Sequence, residues 1–407
     1  MTVGKTLPSA LPARAAAPAG VKRLAWPDVA KGISIVGVVL LHVSLQVPDS
    51  DKTWLVSLNS WIDPLRMPLF FLVSGFFSSK VLNFSLWELF SRRLWFFIVP
   101  YIIWVCVELT TARELAHQSW GQERLGVGEV AGNLLLGHNM GWFLHALVIF
   151  NLILWSCRKL PPWLSMLVSL SPVLFLAFHD VVYFVGKAMM YLPVFMAGVY
   201  LRGFIKSFAD QFDQALARRR VTPAVCVAVA AASASYLFGY WVRRSWDEFE
   251  GNPVYAWPFF GDGLLERPEI LLFVRLIEQS TMLPAAILGA VLISRVPVVS
   301  HAFQFVGRHT LPIYLGHPIA LTLGYGFVVS GRDLTITVDG AWPVENTWFW
   351  ILACLVSCAV GSLTLWAISR TPVLKWTMTP PAITNVGRKN REPMVNATDA
   401  ASQEGAR

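Results

Sequence analysis

Charge is the scarcest commodity in this 407-residue chain: Asp, Glu, Lys and Arg make up 14% of it, and apolar residues make up 55%. A soluble domain carries roughly 25% charged residues, so a water-soluble globular fold is excluded. Cysteine is sparse too. The five present (Cys106, Cys157, Cys226, Cys354 and Cys358) form no Cys-x-x-Cys pair and lie in or beside apolar segments, where cysteine is a packing residue rather than a zinc or redox group. There is no Gly-x-x-x-x-Gly-Lys-Ser/Thr loop, no His-Glu-x-x-His and no Gly-x-Ser-x-Gly. The local signatures of a phosphate-loop ATPase, a zinc protease and a serine hydrolase of those types are therefore missing. No apolar run precedes residue 29, so no cleaved signal peptide is expected, and no internal repeat is visible.

What the chain does have is long apolar runs. Segments near the roughly 20 residues that a bilayer requires fall at about 29–47, 58–79, 94–110, 141–157, 163–179, 187–206, 222–241, 270–294, 303–329 and 346–369. The fold class is therefore all-α, a polytopic membrane bundle of about ten transmembrane helices. Pro172, Gly186 and Pro193 interrupt the fifth and sixth segments. The net charge of +8 is not a nucleic-acid patch, because its sign alternates from loop to loop. Lys80, Arg92, Arg93, Arg158, Lys159, Arg202, Lys206 and Arg295 fall on one set of loops. Asp49, Asp51, Glu114, Glu123, Glu129, Asp247, Glu248, Asp333 and Glu345 fall on the other. The positive-inside rule then places both termini in the cytoplasm of a cell whose inner or plasma membrane the chain crosses many times. Residues 1–24 read as a disordered basic cytoplasmic tail, 25–378 as the membrane domain and 379–407 as a second disordered tail. Two outside loops, about 111–140 and 242–269, exceed the usual loop length; the second holds Trp246, Tyr255 and Trp257, suited equally to a carbohydrate and to the bilayer interface.

The first apolar segment carries Asp28, Lys31 and His42. Ionisable groups in a spanning helix are costly and face a protein interior or a wet cavity. Lys31 and His42 are eleven residues apart, so they share one helix face at an axial separation of about 16 Å. His42 has the titration range of a general base; its plainer role is a hydrogen-bonded core histidine. Lys31 either snorkels with help from Asp28 or holds an anion. Arg66, in the run Trp61-Ile-Asp-Pro-Leu-Arg-Met-Pro68, needs a partner, and Asp63 is three residues away. Arg92 and Arg93 serve as topology markers, and paired guanidinium groups also suit phosphate. Arg308 with His309 makes a second cationic cluster on that side, and His317 lies within the ninth segment.

Five stretches in order make the chain similar to the membrane-bound acyltransferase-3 family. They are Arg23-Leu-Ala-Trp-Pro-Asp28-Val-Ala-Lys31 with His42, Met67-Pro-Leu-Phe-Phe-Leu-Val-Ser74-Gly75, Arg92-Arg-Leu-Trp-Phe-Phe-Ile-Val-Pro-Tyr101, Gly141-Trp142-Phe-Leu144, and Gly307-Arg308-His-Thr-Leu-Pro-Ile-Tyr-Leu-Gly-His317-Pro318. In the opening motif Lys31 stands where many members have Arg, which keeps the charge and loses the bidentate fork. The resemblance implies transfer of an acetyl or similar short acyl group from cytoplasmic acetyl-CoA to a hydroxyl of an envelope polysaccharide or glycolipid, a mycolate-type glycolipid among the candidates, at the outer face. It implies His42, Arg66 and Lys31 as catalytic residues. Arg92, Arg93 and Arg308 would hold the phosphates of CoA, and Asp28, Trp142, Ser74 and His317 would contact substrate. The competing class is a transporter or exporter of a glycolipid or saccharide, which polar intramembrane groups and broken helices also fit.

Overall fold

The structure, a computed structural model, describes residues 24–383 apart from 180–181, 219–221 and 261–262. Helices of eight or more residues are labelled in chain order: α1 Trp26–Gln46, α2 Trp54–Trp61, α3 Asp63–Phe76, α4 Trp95–Trp120, α5 Val127–Leu136, α6 Trp142–Ser156, α7 Phe184–Tyr200, α8 Arg202–Arg218, α9 Pro223–Asp247, α10 Arg267–Ser294, α11 Pro297–Arg308, α12 Thr310–Leu321 and α13 Thr347–Ile368. The bundle is helical throughout, with a single two-stranded hairpin pairing Tyr255–Ala256 with Leu264–Leu265 among the described residues.

By length and composition, seven helical segments of the described chain can cross a membrane, or eight if the bent α7–α8 pair counts as one. That is fewer than the ten apolar runs. Three runs supply no straight span among the described residues: the helix in 141–157, α6, is only 15 residues long, and the runs at 163–179 and 187–206 are broken. The segment expected at 163–179 is a seven-residue helix, Pro162–Val168, followed by 3-10 turns over Ser171–Phe178 that begin at Pro172. The one at 187–206 breaks at Leu201 with a bend of 75°, and α8 leaves at that angle. The one at 303–329 still supplies a span, Thr310–Val329, but not as one helix, since His309 ends α11 and a new helix starts at Thr310. The stretch expected as an outside loop at 111–140 is largely helical: α4 runs on to Trp120 and α5 fills most of the rest. The expected N-terminal tail lies outside the described residues except for Leu24, and the expected C-terminal tail does so from residue 384. Before that point the chain still packs: Met378 is buried, and the Pro381 carbonyl accepts a hydrogen bond from Trp95 Nε1 at 3.1 Å.

The deepest part of the core lies between α3, α6 and α7. Phe71, Phe150 and Phe195 are fully buried there, with ring centroids 5.2 Å apart for Phe71–Phe150 and 5.7 Å for Phe150–Phe195. Lipid tails are as apolar as these side chains, so close packing rather than hydrophobic exclusion holds membrane helices together. The α1–α11 seam uses glycine for this. A Cβ on Gly307 would strike the Asp28 carbonyl, and one on Gly32 would strike the carbonyl of Phe303. The backbones therefore touch along the segment that carries Lys31, and this fixes which face of α1 turns inward.

Candidate functional site

His42 meets its partner across the bundle. Its Nδ1 lies 2.8 Å from Nε2 of His317 on α12, and the two rings stack with centroids 5.0 Å apart. His317 is fully buried, and its Nδ1 is 2.9 Å from the Ile313 carbonyl. A carbonyl only accepts, so His317 Nδ1 carries the hydrogen and, with both rings neutral, His317 Nε2 is the acceptor. His42 Nδ1 must then donate to it. The assignment follows from the heavy-atom network, and it leaves the lone pair of His42 on Nε2. His317, expected to contact substrate, instead sits behind His42 and sets its tautomer.

His42 lines a cavity of about 330 Å³ together with Arg66, Trp142, Lys187, Tyr191, Arg275, Glu278 and Tyr314. Arg66 is 4% exposed, donates to the carboxylate of Asp63, and points a second amino group at the Asn59 carbonyl. An unanswered arginine at the bilayer centre costs about 2.5–3.5 kcal/mol on insertion scales; Asp63 and the polar cavity offset this. Room for the Arg66 stem comes from Gly37 on α1, because a Cβ there would overlap Arg66 Cδ and Cγ. Trp142, the first residue of α6, stacks on Tyr191 at 5.7 Å, and Lys187 Nζ lies 4.8 Å from the Trp142 ring and 4.7 Å from that of Tyr183. Glu278 and Gln279 are buried, and Gln279 Nε2 donates to the Met190 carbonyl at 2.6 Å.

A second cavity of about 340 Å³ lies on the other side of Tyr314, which lines both. Its polar lining includes Lys31, Ser74, Arg93 and Thr379, and aromatic rings from Phe70, Phe77, Phe96, Phe97 and Phe143 make up much of the rest. Tyr314 is held rigidly between the two, since its hydroxyl donates to the Met140 carbonyl at 2.6 Å and accepts from the Phe143 N–H at 3.0 Å. Arg93 sits in a π turn, Phe90–Leu94, just ahead of α4. It donates to Ser78 Oγ at 2.6 Å, and its Nε is buried without an acceptor among the described residues. Lys31 Nζ is 4.9 Å from the Phe77 ring. Lys31 and His42, on one face of one unbroken helix, thus open onto two different cavities.

The remaining expected residues lie elsewhere. Arg92 is 57% exposed and pairs with Glu88 at 3.2 Å. Arg308 pairs with the buried carboxylate of Asp28 at 3.2 Å and with Gln304, and lines neither cavity. Ser74 lines the Lys31 cavity, with its hydroxyl on the Phe70 carbonyl. Sequence reasoning missed Tyr314, Lys187, Arg275 and Glu278. For Arg275 and Glu278 the signal existed: two opposite charges three residues apart inside the apolar run at 270–294 deserve the same suspicion as Lys31 and His42.

A family model described as an acyltransferase domain, that of acyltransferase family 3, matches residues 24–366. No curated protein and no solved structure matches the chain.

Proposed function

The chain belongs to the acyltransferase-3 family of membrane acyltransferases, and from that premise we propose that it moves an acetyl or similar short acyl group from acyl-CoA to a hydroxyl of an envelope polysaccharide or glycolipid, with His42 as general base. The observation that carries this reading is the pairing of His42 with His317, which leaves His42 Nε2 with a lone pair beside a polar cavity. Acyl-CoA enters from the Lys31 end, which the positive-inside rule puts at the cytoplasm. Arg93 and Lys31 attract its phosphates, and the pantetheine arm passes Tyr314 along α1. The acceptor hydroxyl arrives from the opposite end.

In the transfer, the acceptor oxygen attacks the thioester carbonyl carbon while His42 Nε2 takes the hydroxyl proton. A C–O bond forms and the carbonyl oxygen becomes an oxyanion beside Arg66 and Trp142, whose charge and N–H answer it. Collapse breaks the C–S bond, and the proton on His42 Nε2 passes to the departing sulfur, giving the CoA thiol and the ester. His317 keeps the His42 ring in the tautomer that this requires.

Positioned general-base catalysis is worth about 10²–10⁴-fold, so His42→Ala should lower acetyl transfer by that factor at equal protein level. The measurement is the acetyl content of envelope glycans and glycolipids by mass spectrometry, in a deletion strain complemented with wild type or variant. Full acetylation by His42→Ala would remove His42 from the chemistry. Support for an enzyme over an exporter is the family membership, and hydrolysis or transfer of acetyl-CoA by the purified chain separates the two.

A further inference from the structure

A second polar cleft adjoins the His42 cavity. It measures about 310 Å³ and lies between the end of α2, the start of α3, and helices α9 and α10. Asp63, Arg275 and Glu278 line both spaces, so the cleft beside the exposed ring of Trp61 and the His42 cavity share one polar wall. Nothing in the transfer step uses the outer part of the cleft.

That outer part has the chemistry of a sugar site. The rings of Trp61 and Tyr240 lie nearly parallel, 4° apart in plane with centroids 5.7 Å apart, and both are exposed. Tyr236 fastens the edge of this wall by donating to the Trp61 carbonyl at 3.2 Å. Arg243 pairs with Asp247 at 2.9 Å, and its Nη1 is buried with no acceptor among the described residues. Exposed aromatic planes beside alternating donors and acceptors match a pyranose, whose C–H face is apolar and whose rim is a ring of hydroxyls. The charge balance offers nothing to the nucleotide end of CoA: Asp63 is paired with Arg66, and the remaining two carboxylates (Asp247, Glu278) face two guanidinium groups (Arg243, Arg275), so a polyphosphate would meet no net positive charge. The polarity argues against a lipid tail.

We propose that the Trp61–Tyr240–Arg243 cleft is the acceptor subsite, and that it takes an uncharged saccharide residue and passes the hydroxyl to be acylated toward His42. This rests on the acyl-transfer reading above. The ring stacks on the aromatic wall, Arg243 Nη1 donates to a sugar oxygen, and Asp247 and Glu278 accept from hydroxyls. Trp61 and Tyr240 then determine specificity and touch no reacting atom.

The test uses the purified full chain and follows release of the CoA thiol from acetyl-CoA, first alone and then with a panel of methyl pyranosides and disaccharides that includes trehalose. At least one sugar should accelerate release saturably. Trp61→Ala, Tyr240→Ala and Arg243→Gln should each raise its half-saturating concentration about tenfold, with the sugar-free rate and the half-saturating acetyl-CoA concentration within twofold of wild type. Trp61→Phe, which keeps a flat ring, should recover most of the loss, and that separates a binding role from a folding defect. Unchanged sugar dependence in the variants, or release of CoA that no sugar in the panel accelerates, would overturn the subsite. A wild-type chain that releases no CoA at all would instead overturn the acyl-transfer reading beneath it.

Discussion

At the scale of single residues, the site depends on which nitrogen of His42 is left free, and that is decided by a fully buried residue that lines neither cavity. Removing the His317 ring leaves the His42 Nδ1–H without its acceptor in a buried setting, at a cost of about 1–3 kcal/mol, and lets the imidazole turn or change tautomer. His317→Ala is therefore expected to lower kcat by about 10²-fold while the KM for acetyl-CoA, proposed to bind in the other cavity, changes little. His317→Gln retains a side-chain acceptor oxygen and should recover part of the loss. Steady-state kinetics of the three proteins check this; a KM effect as large as the kcat effect would point to general unfolding instead. Gly37 makes a similar point with less chemistry. A methyl group there collides with the Arg66 stem, so Gly37→Ala should push the guanidinium from the cavity and lower turnover about as much as Arg66→Ala does, with the protein still eluting as a folded species in detergent. The sequence showed His42, Arg66 and Trp142 as polar or aromatic groups in unexpected places, and all three line one cavity. It also showed His317 but not its task, because a contact across 275 positions has no local pattern. Tyr314 and Lys187 were silent for the same reason: a tyrosine in an apolar helix and a lysine near a helix start are ordinary until their neighbours are known.

At the scale of elements, the runs of apolar residues were legible and their breaks only in part: Pro172 marked the one in 163–179, and nothing marked the one at His309. Hydropathy sums over a window, so it scores 163–179 and 303–329 as continuous although each is two pieces. The break at His309 matters for function, because it frees α12 to start afresh and carry Tyr314 and His317 into the bundle while α11 lies along α1. That seam is where backbone meets backbone at Gly32 and Gly307, and it is closed at its end by the Arg308–Asp28 pair at 3.2 Å. Arg308 and Asp28, expected from the sequence to contact ligands, line neither cavity and brace this seam instead. Gly307→Ala should separate α1 from α11 and destabilise the bundle by about 1–3 kcal/mol, the range for overpacking a tight contact. Arg308→Ala should cost less: its guanidinium is 46% exposed although the Asp28 carboxylate is buried, so water can take the place it leaves beside Asp28, and the loss stays near the ~0–1 kcal/mol of an exposed pair. Thermal unfolding in detergent, followed by tryptophan fluorescence, ranks the two; a larger loss for Arg308→Ala would mean that the ion pair, not the close approach, holds the seam.

At the scale of the whole molecule, one helix connects two cavities of nearly equal size, about 330 and 340 Å³, that share the tethered ring of Tyr314. Two reactants can then approach a common point from opposite ends without crossing the membrane themselves. The three arginines expected to hold the donor do not share this geometry. Arg93 lines the Lys31 cavity, whereas Arg92 is exposed and paired with Glu88, a distinction that adjacent positions in a sequence cannot reveal but a π turn can create. Donor affinity should divide accordingly. Arg93→Ala removes a charge whose Nε is buried without an acceptor among the described residues, and a charge-assisted hydrogen bond is worth about 1.5–3 kcal/mol. Acetyl-CoA binding should weaken by about ten- to a hundredfold. Arg92→Ala gives up an exposed pair worth about 0–1 kcal/mol and should leave binding within a few-fold of wild type. Lys31→Ala should fall between these limits, and Lys31→Arg should bind at least as well as wild type, since the guanidinium adds a second donor toward phosphate. Calorimetric titration of detergent-purified variants with acetyl-CoA measures all four. Equal losses from Arg92→Ala and Arg93→Ala would mean that the phosphates sit at the membrane surface, outside the cavity, and that the donor's path along α1 begins elsewhere.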